Sequence, residues 1–556
     1  PEGEGIMVIV DTSFMELQEM VDADLSLEEL EQVLSDMGME LDDVNGDEIK
    51  VEITAERVDL ITPAGLARAI NCYRGGKYSE ITVSKGDYVH KVDASVKSVR
   101  PFTRSFVVKN LSFDEENIKA LMTVQEKIHD TFGRNRKKVS IGVYDLDLLQ
   151  FPIHYKALRP EEIKFVPLEM STEMNGRQIL EQHEKGKAYA YLLKGFELFP
   201  LQVDNTGKVL SMPPIINSDD LGKIGVETKN ILIECTGPDA DALDNIMNIL
   251  AVMFNDIKGE VVSCLIEDGT SKIVCPSAKS VEREISINYV NKWIGLNVDK
   301  DSIGKYLQKM EYNVINIEGD KVKVSIPSVR SDIWHQVDIA DDIARGFGYN
   351  NITPTLPNVS TIGAMLPENI LFEDISEILV SLGLVEVKTF ALTNHVDQFE
   401  NMNIKDLPHV KLGRNTADKN LSMVRTWLLP EVLKTLVANR NKEYPQNVFE
   451  VGTVVVPDES KDVKSRNVSK LVCLLCDDKA DFTKAKQVLD AVMKFLGVEY
   501  YVRESEHSSF LKGRVGSIVV DDEVFGVIGE LSPVVLEKWD LMMPTVGFEL
   551  DLAKFI

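Results

Sequence analysis

The length of this chain most constrains its fold, because 556 residues exceed what one hydrophobic core can organise. Domains usually hold roughly 100 to 200 residues, so we expect three to five folded units. Hydrophobic residues make up 44% of the chain and charged residues 27%, values that favour folded domains over disorder. The order of helical and strand patterns predicts an α+β chain of four units in tandem.

Changes of pattern along the chain predict where these units begin and end. The opening segment reads as two amphipathic helices, the second capped by Ser26 with Glu29 three residues on. A strand-rich stretch follows, in which we also predict a strand at 188–195, AYAYLLKG. A hairpin that turns at Gly319-Asp320 marks a winged-helix-like unit, after which long helices alternate with strands. The predicted units cover residues 7–85, 86–278, 279–355 and 362–556.

Charge and cysteine content narrow the function classes. The formal net charge of -28 argues against a chain that grips nucleic acid along its whole surface, so any such contact is local. No apolar run approaches the roughly 18 residues of a membrane span, and the start, which we place at Met7, lacks signal-peptide regions. The six cysteines are scattered, which is typical of reduced thiols, and the pair Cys473 and Cys476 lies in an apolar run that favours a buried strand over zinc or redox chemistry. We therefore expect a cytoplasmic protein.

An acidic cluster lies in the stretch SDIWHQVDIADDIARGFGYNN, and its members are Asp332, Asp338, Asp341 and Asp342. In a helix the last three share one face and repel one another. A hard divalent cation such as Mg²⁺, which takes oxygen ligands, would offset that repulsion. Acids in a first helical turn also complement the helix dipole, so the residues alone leave a metal site and a helix-stabilising role equally open.

A basic segment, Gly133 to Lys138, follows a helical pattern and is a candidate for local contact with nucleic acid. Its cationic residues are Arg134, Arg136, Lys137 and Lys138. A cationic last turn also complements the negative end of the helix dipole, so both interpretations remain open.

Longer strings carry a resemblance that runs in order from about Met7 to Ile556. They include VEITAERVDLITPAGLARAI, VLSMPPIINSDD, PSVRSDIWHQVDIADDIARGFGYNNI and LSMVRTWLLPEVLKTL. The chain resembles the β-subunit family of phenylalanyl-tRNA synthetases, in the shorter form of archaea and the eukaryotic cytosol. The resemblance implies an N-terminal domain, a mixed α/β editing module, a winged-helix-like domain and a degenerate class II synthetase domain built on an antiparallel sheet.

The resemblance also implies partners and a cofactor. The family pairs its β subunit with a catalytic α subunit in an α2β2 heterotetramer, which binds ATP and phenylalanine at the α subunit and the tRNA for phenylalanine. Its members hold a magnesium ion at acids that match the four aspartates. Class II active sites clamp ATP with arginines, but the matching stretch TVGFELDLAKFI carries Glu549, Leu550 and Asp551 where an arginine is expected. We infer that the last domain organises the α subunit rather than activating an amino acid.

A site for phenylalanine rejects tyrosine, which merely adds a hydroxyl, by only about 100-fold, so tyrosine is sometimes charged. A second site that requires the hydroxyl and hydrolyses the ester corrects this error. The resemblance places such an editing pocket at polar residues on or beside apolar strands, namely Ser211, Asn217, Glu234 and Thr236. Many members of the family carry Asp at the position of Glu234.

We expect Glu234 to accept the phenol proton while Thr236 and Ser211 complete the hydrogen bonds. Water then attacks the positioned ester, and the basic segment receives the acceptor end of the tRNA. Without the resemblance, the same residues read as a rigid turn enforced by Pro213 and Pro214 and as the end of a strand. Two other functions remain open, a non-enzymatic acidic scaffold and a stand-alone aminoacyl-tRNA deacylase.

Overall fold

The computed structural model describes residues 8–21, 24–269, 271–413, 418 and 420–555. The predicted start at Met7 lies outside them. The chain forms two compact units, one on each side of the bond between Leu356 and Pro357. Both contain helices and sheets, so the predicted α+β chain is confirmed as a multidomain chain that combines helices with several sheets. The division into four units stays a prediction.

The first unit begins with a three-stranded antiparallel sheet and three helices. The helix Leu27–Asp36 forms where the sequence predicts it, because Ser26 and Glu29 each accept the backbone N–H of the other in a capping box. Leu30 and Leu34, one turn apart on its inner face, are fully buried. The elements are strands Val8–Ser13, Glu40–Asn45 and Glu48–Ile53 and helices Phe14–Met20, Leu27–Asp36 and Pro63–Tyr73.

A ten-stranded sheet forms the largest part of the first unit. Its strand Ile231–Gly237 is buried at every position, including the polar residues Glu234 and Thr236. The strand Ser84–Val92 is parallel to both of its neighbours, and the other pairs are antiparallel. In spatial order the strands are Ile216–Asn217, Val209–Met212, Phe199–Val203, Ile153–Leu158, Ser84–Val92, Glu260–Asp268, Phe102–Lys109, Ile231–Gly237 and Ser140–Asp145, with Ser271–Cys275 also paired to Glu260–Asp268.

The large sheet curls until side chains from its two ends touch. The hydroxyl of Tyr144, on the last strand of the order, lies 2.8 Å from that of Ser211, on the second strand. Helices follow several of the strands, and a two-stranded sheet lies beside them. These elements are helices Glu115–Asp130, Gly176–Gln182, Glu184–Tyr189 and Ala240–Asp256 and strands Lys164–Phe165 and Met174–Asn175.

The last part of the first unit combines a three-stranded antiparallel sheet with three helices. Its hairpin turns at Gly319, whose φ of 60° is accessible to glycine, as the sequence predicts. The elements are strands Val281–Ser286, Asn313–Glu318 and Lys321–Ile326 and helices Ile287–Ile294, Lys300–Lys309 and Gln336–Phe347.

A buried ion network joins three parts of the first unit. Arg57 donates to Asp59 at 2.9 Å and to Glu311 at 2.7 Å. Arg68 donates to Asp59 and Glu311, both at 2.8 Å, and also contacts Asp256. The network therefore holds together the segment from Arg57 to Arg68, the end of the helix Ala240–Asp256 and the turn after the helix Lys300–Lys309.

The second unit is built on a seven-stranded, largely antiparallel sheet. The strand Ser465–Cys476 lies within it, and its alternate residues enter two separate cores, one containing Cys473 and the other Cys476. The strands are, in spatial order, Val385–Glu386, Gln446–Pro457, Ser465–Cys476, Thr545–Asp551, Glu523–Leu531, Phe510–Val520 and Tyr501–Glu504. Also present are helices Pro367–Ser381, Leu429–Ala438, Phe482–Phe495 and Pro533–Lys538, the π-helix Val396–Glu400 and the short pair Leu392–Thr393 and Met423–Val424.

Three sequence predictions meet a clear outcome in the fold. The predicted strand at 188–195 is wrong, because His183 caps the helix Glu184–Tyr189 and a 3₁₀ turn, Ala190–Leu192, continues it. All six cysteines are free and buried, which confirms the expectation of unpaired thiols. Within the described ranges, no helix is long and apolar enough to cross a membrane.

Candidate functional site

A cavity of about 460 Å³ opens where the two ends of the large sheet approach each other beside the helix Glu115–Asp130. Its apolar wall includes Leu121 and Met122 from the helix and Val143 from the sheet. Three of the four residues predicted for the editing pocket, Ser211, Asn217 and Glu234, line this cavity together. The fold therefore brings these three together although they come from different strands.

Glu234 is a buried acid with neutral hydrogen-bond partners. Its Oε1 lies 3.0 Å from the hydroxyl of Tyr144, and its Oε2 lies 3.4 Å from Nε2 of Gln202. Burial raises the pKa of Glu234 to about 7, although the hydrogen bond from Tyr144 and the positive charge of Arg100 oppose this rise. A carboxyl group that titrates near neutral pH beside a cavity is typical of functional sites.

Ser211 and Asn217 are cross-strand partners on adjacent strands. The Ser211 side chain is buried and meets the hydroxyl of Tyr144 at 2.8 Å. The Asn217 side chain is partly exposed, and its Nδ2 lies 3.5 Å from the carbonyl oxygen of Gly222. Pro213 and Pro214 form the turn between the two strands and also line the cavity. The segment that forms the rigid turn therefore also carries the polar cavity residues Ser211 and Asn217.

Thr236 lies behind the cavity wall. Its hydroxyl accepts a hydrogen bond from Nε of Arg100 at 2.8 Å and lies 2.9 Å from the hydroxyl of Ser140, which does line the cavity. Arg100 also donates to the carbonyl oxygens of Thr236 and Arg136. This arrangement makes Thr236 a support for Arg100 and Ser140.

A second polar group in the cavity comes from the helix Glu115–Asp130 and the turn after it. Glu126 accepts a hydrogen bond from Arg136 at 2.7 Å and lies 3.7 Å from Nδ1 of His129. Contact with His129, with Arg136 adding to it, lowers the pKa of Glu126 to about 2. Sequence reasoning missed Glu126 and His129, although their spacing of three places both on one helix face.

The basic segment divides between the surface and the cavity wall. Arg134 and Lys137 are exposed, and Lys138 is partly buried with its Nζ 3.6 Å from Asp239. Arg136, in contrast, is buried, donates to the carbonyl oxygen of Ile215 at 3.0 Å and stacks on the ring of Tyr189. Arg136 therefore braces the cavity wall, while the other three remain predicted contacts for tRNA.

Each residue of the acidic cluster has protein partners. Asp332 and Asp342 both accept from Arg330, at 2.7 and 2.6 Å, and Asp342 also accepts from Tyr312. The remaining two are Asp338, which accepts the backbone N–H groups of Trp334 and His335 at the start of its helix, and Asp341, which pairs with Arg345 and Tyr349.

The fit of a magnesium ion to these aspartates follows from that arrangement. Among the residues that the structure describes, no group of three or more His, Cys, Asp or Glu side chains is arranged to hold a metal ion. The cluster within this chain fits neutralisation by arginine and helix capping, and it does not fit a magnesium ion held by all four carboxylates. The magnesium assignment stays a prediction from resemblance.

Glu549, in the stretch where a catalytic arginine is expected, stabilises a helix in the second unit. Its Oε2 accepts the backbone N–H groups of Leu428 and Leu429, both at 2.9 Å, at the start of the helix Leu429–Ala438. Its Oε1 accepts from Lys470 at 2.8 Å. The carboxylate is thus buried and fully used within the protein.

Comparisons with known proteins match almost the whole chain. Residues 7–76 match the Phe-tRNA synthetase beta subunit B1 domain, residues 283–349 the tRNA synthetase B5 domain, and residues 352–552 the phenylalanyl tRNA synthetase beta chain CLM domain. The chain is 37% identical over 556 residues to the phenylalanine–tRNA ligase beta subunit of Thermococcus sibiricus, covering 98% of each chain. The corresponding protein of Methanocella arvoryzae is 34% identical over 555 residues, 98% of this chain and all of that one.

A solved structure resembles the first part of the chain. It is the crystal structure of an N-terminal fragment of the phenylalanyl-tRNA synthetase beta subunit from Pyrococcus horikoshii, with a TM-score of 0.58 and 33% identity. The similarity covers 61% of this chain and 99% of the fragment. Sequence identity over the full length and the fold of the first part agree, and the chain belongs to the phenylalanine–tRNA ligase beta subunit family.

Proposed function

We propose that this chain is the non-synthetic subunit of a cytoplasmic phenylalanine–tRNA ligase. It works with a catalytic α subunit in an α2β2 heterotetramer that attaches phenylalanine to its tRNA with ATP. The cavity of the large sheet hydrolyses tyrosyl esters of that tRNA. The observation that carries the hydrolytic role is the meeting of Ser211, Asn217 and Glu234 in one cavity with apolar walls.

The chemistry of the cavity suits a tyrosyl ester. The apolar wall accommodates an aromatic ring, while Glu234 and Ser211 offer hydrogen-bond partners to a phenol hydroxyl. A phenylalanyl ester leaves these buried polar groups without a ligand partner, which lowers its relative binding. Glu126, which is also on the cavity, offers a negative charge to the α-ammonium group of the ester.

In this proposal the cavity promotes hydrolysis by holding the ester in position for attack by water. The described residues of the cavity include neither a cysteine nor a serine paired with a histidine, so water is the expected nucleophile. The enclosed walls hold the ester in one place so that water attacks a fixed carbonyl carbon. The exposed Arg134 and Lys137, together with Lys138, attract the phosphates of the acceptor end.

The use of Glu549 within the second unit supports the division of labour between subunits. A carboxylate that caps a helix and pairs with Lys470 offers no cation to the phosphates of ATP. Amino-acid activation is therefore assigned to the α subunit, and the second unit to its organisation.

Co-expression with the matching α subunit tests the proposal. The assembled enzyme should charge tRNA with phenylalanine and deacylate pre-formed tyrosyl-tRNA, and the partner-free chain should form no phenylalanyl adenylate. A chain that stays monomeric and inactive would favour the acidic scaffold. Deacylation that needs no partner, without charging by the mixture, would favour the stand-alone deacylase.

A further inference from the structure

Tyr144 is a buried residue that the proposed reaction does not yet use. Its side chain is fully buried, and its hydroxyl lies 3.0 Å from Oε1 of Glu234 and 2.8 Å from the hydroxyl of Ser211. Glu234 and Ser211 both line the cavity, and they come from strands far apart in the sheet order. The phenol of Tyr144 is therefore the physical link between two cavity groups.

The backbone beside Tyr144 leaves room for this link. Gly142 lies two residues earlier on the same strand face, next to the phenol. A Cβ atom on Gly142 would lie 2.2 Å from the Tyr144 hydroxyl oxygen and 2.8 Å from Oε1 of Glu234, both closer than real Cβ contacts. Glycine at this position allows the three-residue contact to form.

On the side of Glu234 away from Tyr144, Gln202 and His90 determine the direction of the hydrogen bonds that Glu234 accepts. His90 is fully buried, and burial lowers its pKa to about 4, so the ring is neutral at physiological pH. One ring nitrogen meets the hydroxyl of Ser105 at 3.0 Å and the other meets Oε1 of Gln202 at 2.8 Å. With its oxygen on His90, Gln202 turns its amide N–H toward Oε2 of Glu234, which leaves Oε1 to Tyr144.

A phenol carries one proton, so Tyr144 can donate a hydrogen bond to only one of its two partners and must accept from the other. When Tyr144 donates to ionised Glu234, its oxygen accepts from Ser211, and Ser211 then presents a lone pair to the cavity. Both cavity groups are acceptors in this state, which suits a ligand whose hydroxyl donates. We propose that Tyr144 is a positioning residue for tyrosine recognition, holding the acceptors Glu234 and Ser211 at the cavity so that one of them accepts the single proton of the hydroxyl of a tyrosyl ester.

This inference rests on the proposed hydrolysis of tyrosyl esters. Tyr144 acts through its two partners, because it does not itself line the cavity. Among the described residues, the other titratable or charged groups that interact electrostatically with Glu234 are Arg100, Tyr155 and Cys235. The hydroxyl of Tyr155 donates to the backbone carbonyl of Arg100 at 2.7 Å. Tyr155 is thus a buried phenol in the same sheet without contact to the cavity groups.

The test compares Tyr144→Phe with the matched control Tyr155→Phe in the assembled enzyme. Deacylation of tyrosyl-tRNA is measured from about pH 5 to pH 9, and charging with phenylalanine reports folding and assembly of each variant. Removing the Tyr144 donor favours protonated Glu234, so the midpoint of the pH profile should rise by about one unit. Tyr155→Phe should leave the midpoint unchanged.

Further variants keep the outcomes distinct. Gly142→Ala crowds the phenol away from Glu234 and should raise the midpoint as Tyr144→Phe does, which covers the case in which Tyr144→Phe does not assemble. If the parent enzyme does not deacylate tyrosyl-tRNA, the proposed function itself fails. If the parent deacylates and the midpoint of neither Tyr144→Phe nor Gly142→Ala differs from that of Tyr155→Phe, the role of Tyr144 is wrong and the proposed function stands.

Discussion

Two fully buried acids in the first unit, Glu234 and Asp59, show how partners decide what a carboxyl group does. Burial alone would raise the pKa of Asp59, but Arg57 and Arg68 lower it to about 2, so it is ionised at any physiological pH. Burial raises the pKa of Glu234 to about 7, because its contacts are with the neutral side chains of Tyr144 and Gln202. A buried acid surrounded by arginines stays ionised and stabilises the fold, whereas a buried acid with neutral hydrogen-bond donors beside a cavity changes its protonation near neutral pH.

The buried ion network contains more acids than arginines, so its carboxyl groups differ in how readily they take up a proton. Its three acids, Asp59, Asp256 and Glu311, face two arginines. Burial raises the pKa of Asp256 to about 6 although Arg68 contacts it. Asp59, which contacts both arginines, stays ionised, whereas Asp256, which contacts Arg68, takes up a proton more easily.

Breaking the network should give the largest effect on stability. Arg68→Met leaves Glu311 and Asp59 with one arginine and removes the partner of Asp256, so we expect a loss of about 3 to 5 kcal/mol. Urea denaturation measures the change. The control is Arg159→Met, whose exposed pair with Glu162 should contribute nothing measurable. Equal denaturation midpoints for the two variants would contradict a structural role for the network.

The contributions of Glu234 and Asp59 to folding stability should change with pH in opposite directions. Between about pH 4.5 and 7 the folded state holds a proton on Glu234 that the unfolded state has lost, so its contribution to stability falls as pH rises. The contribution of Asp59 has the opposite sign and is lost as pH falls from about 4 toward 2. Denaturation of the parent and Glu234→Gln across this range measures the first effect. The variant should gain relative stability as pH rises, and a constant difference would show that Glu234 titrates normally.

Thr236→Val should distinguish a residue that supports the cavity wall from one that contacts the ligand. Because Thr236 supports Arg100 from behind the cavity, its loss should cost about 1 to 2 kcal/mol of stability and slow tyrosyl-tRNA deacylation by less than about threefold. Denaturation and deacylation assays on one preparation measure both. If Thr236→Val slows hydrolysis as much as Glu234→Gln does, Thr236 contacts the ligand hydroxyl as the sequence predicts.

The acidic cluster should give the smallest response. Because Asp332 and Asp342 both pair with Arg330 within the chain, removing divalent cations with a chelator should leave the melting temperature of the chain unchanged. A thermal melt with and without chelator measures this. A lower melting temperature that magnesium restores would instead support the metal site implied by the resemblance.

Local signals in the sequence predict much of the fold. The capping box at Ser26 and the glycine turn at Gly319 depend on neighbouring residues alone, so the sequence predicts both correctly. The strand prediction for residues 188–195 is wrong because the alternating tyrosines are typical of a strand, whereas the N-cap at His183 begins a helix that extends into this segment. The cap depends on a histidine, which is not among the preferred capping residues.

The candidate site is predictable only in part, because its geometry depends on long-range contacts. Resemblance identifies Ser211 and Glu234, and the fold brings them together on one cavity. The link through Tyr144 spans 67 residues to Ser211 and 90 residues to Glu234, and no local pattern reveals it. Arg136 reads as a surface cation from its basic neighbours, but the turn after the helix directs it into the cavity wall.

The most direct test of the account is hydrolysis of tyrosyl-tRNA by the assembled enzyme and its Glu234→Gln variant. Glutamine keeps the size of the side chain but replaces one acceptor oxygen with a donor, so the phenol hydroxyl loses the partner that the carboxylate offers. We predict that release of tyrosine slows by about tenfold or more while charging with phenylalanine is unchanged. Equal rates of tyrosine release by the parent and the variant would contradict the claim that this cavity reads the hydroxyl through Glu234.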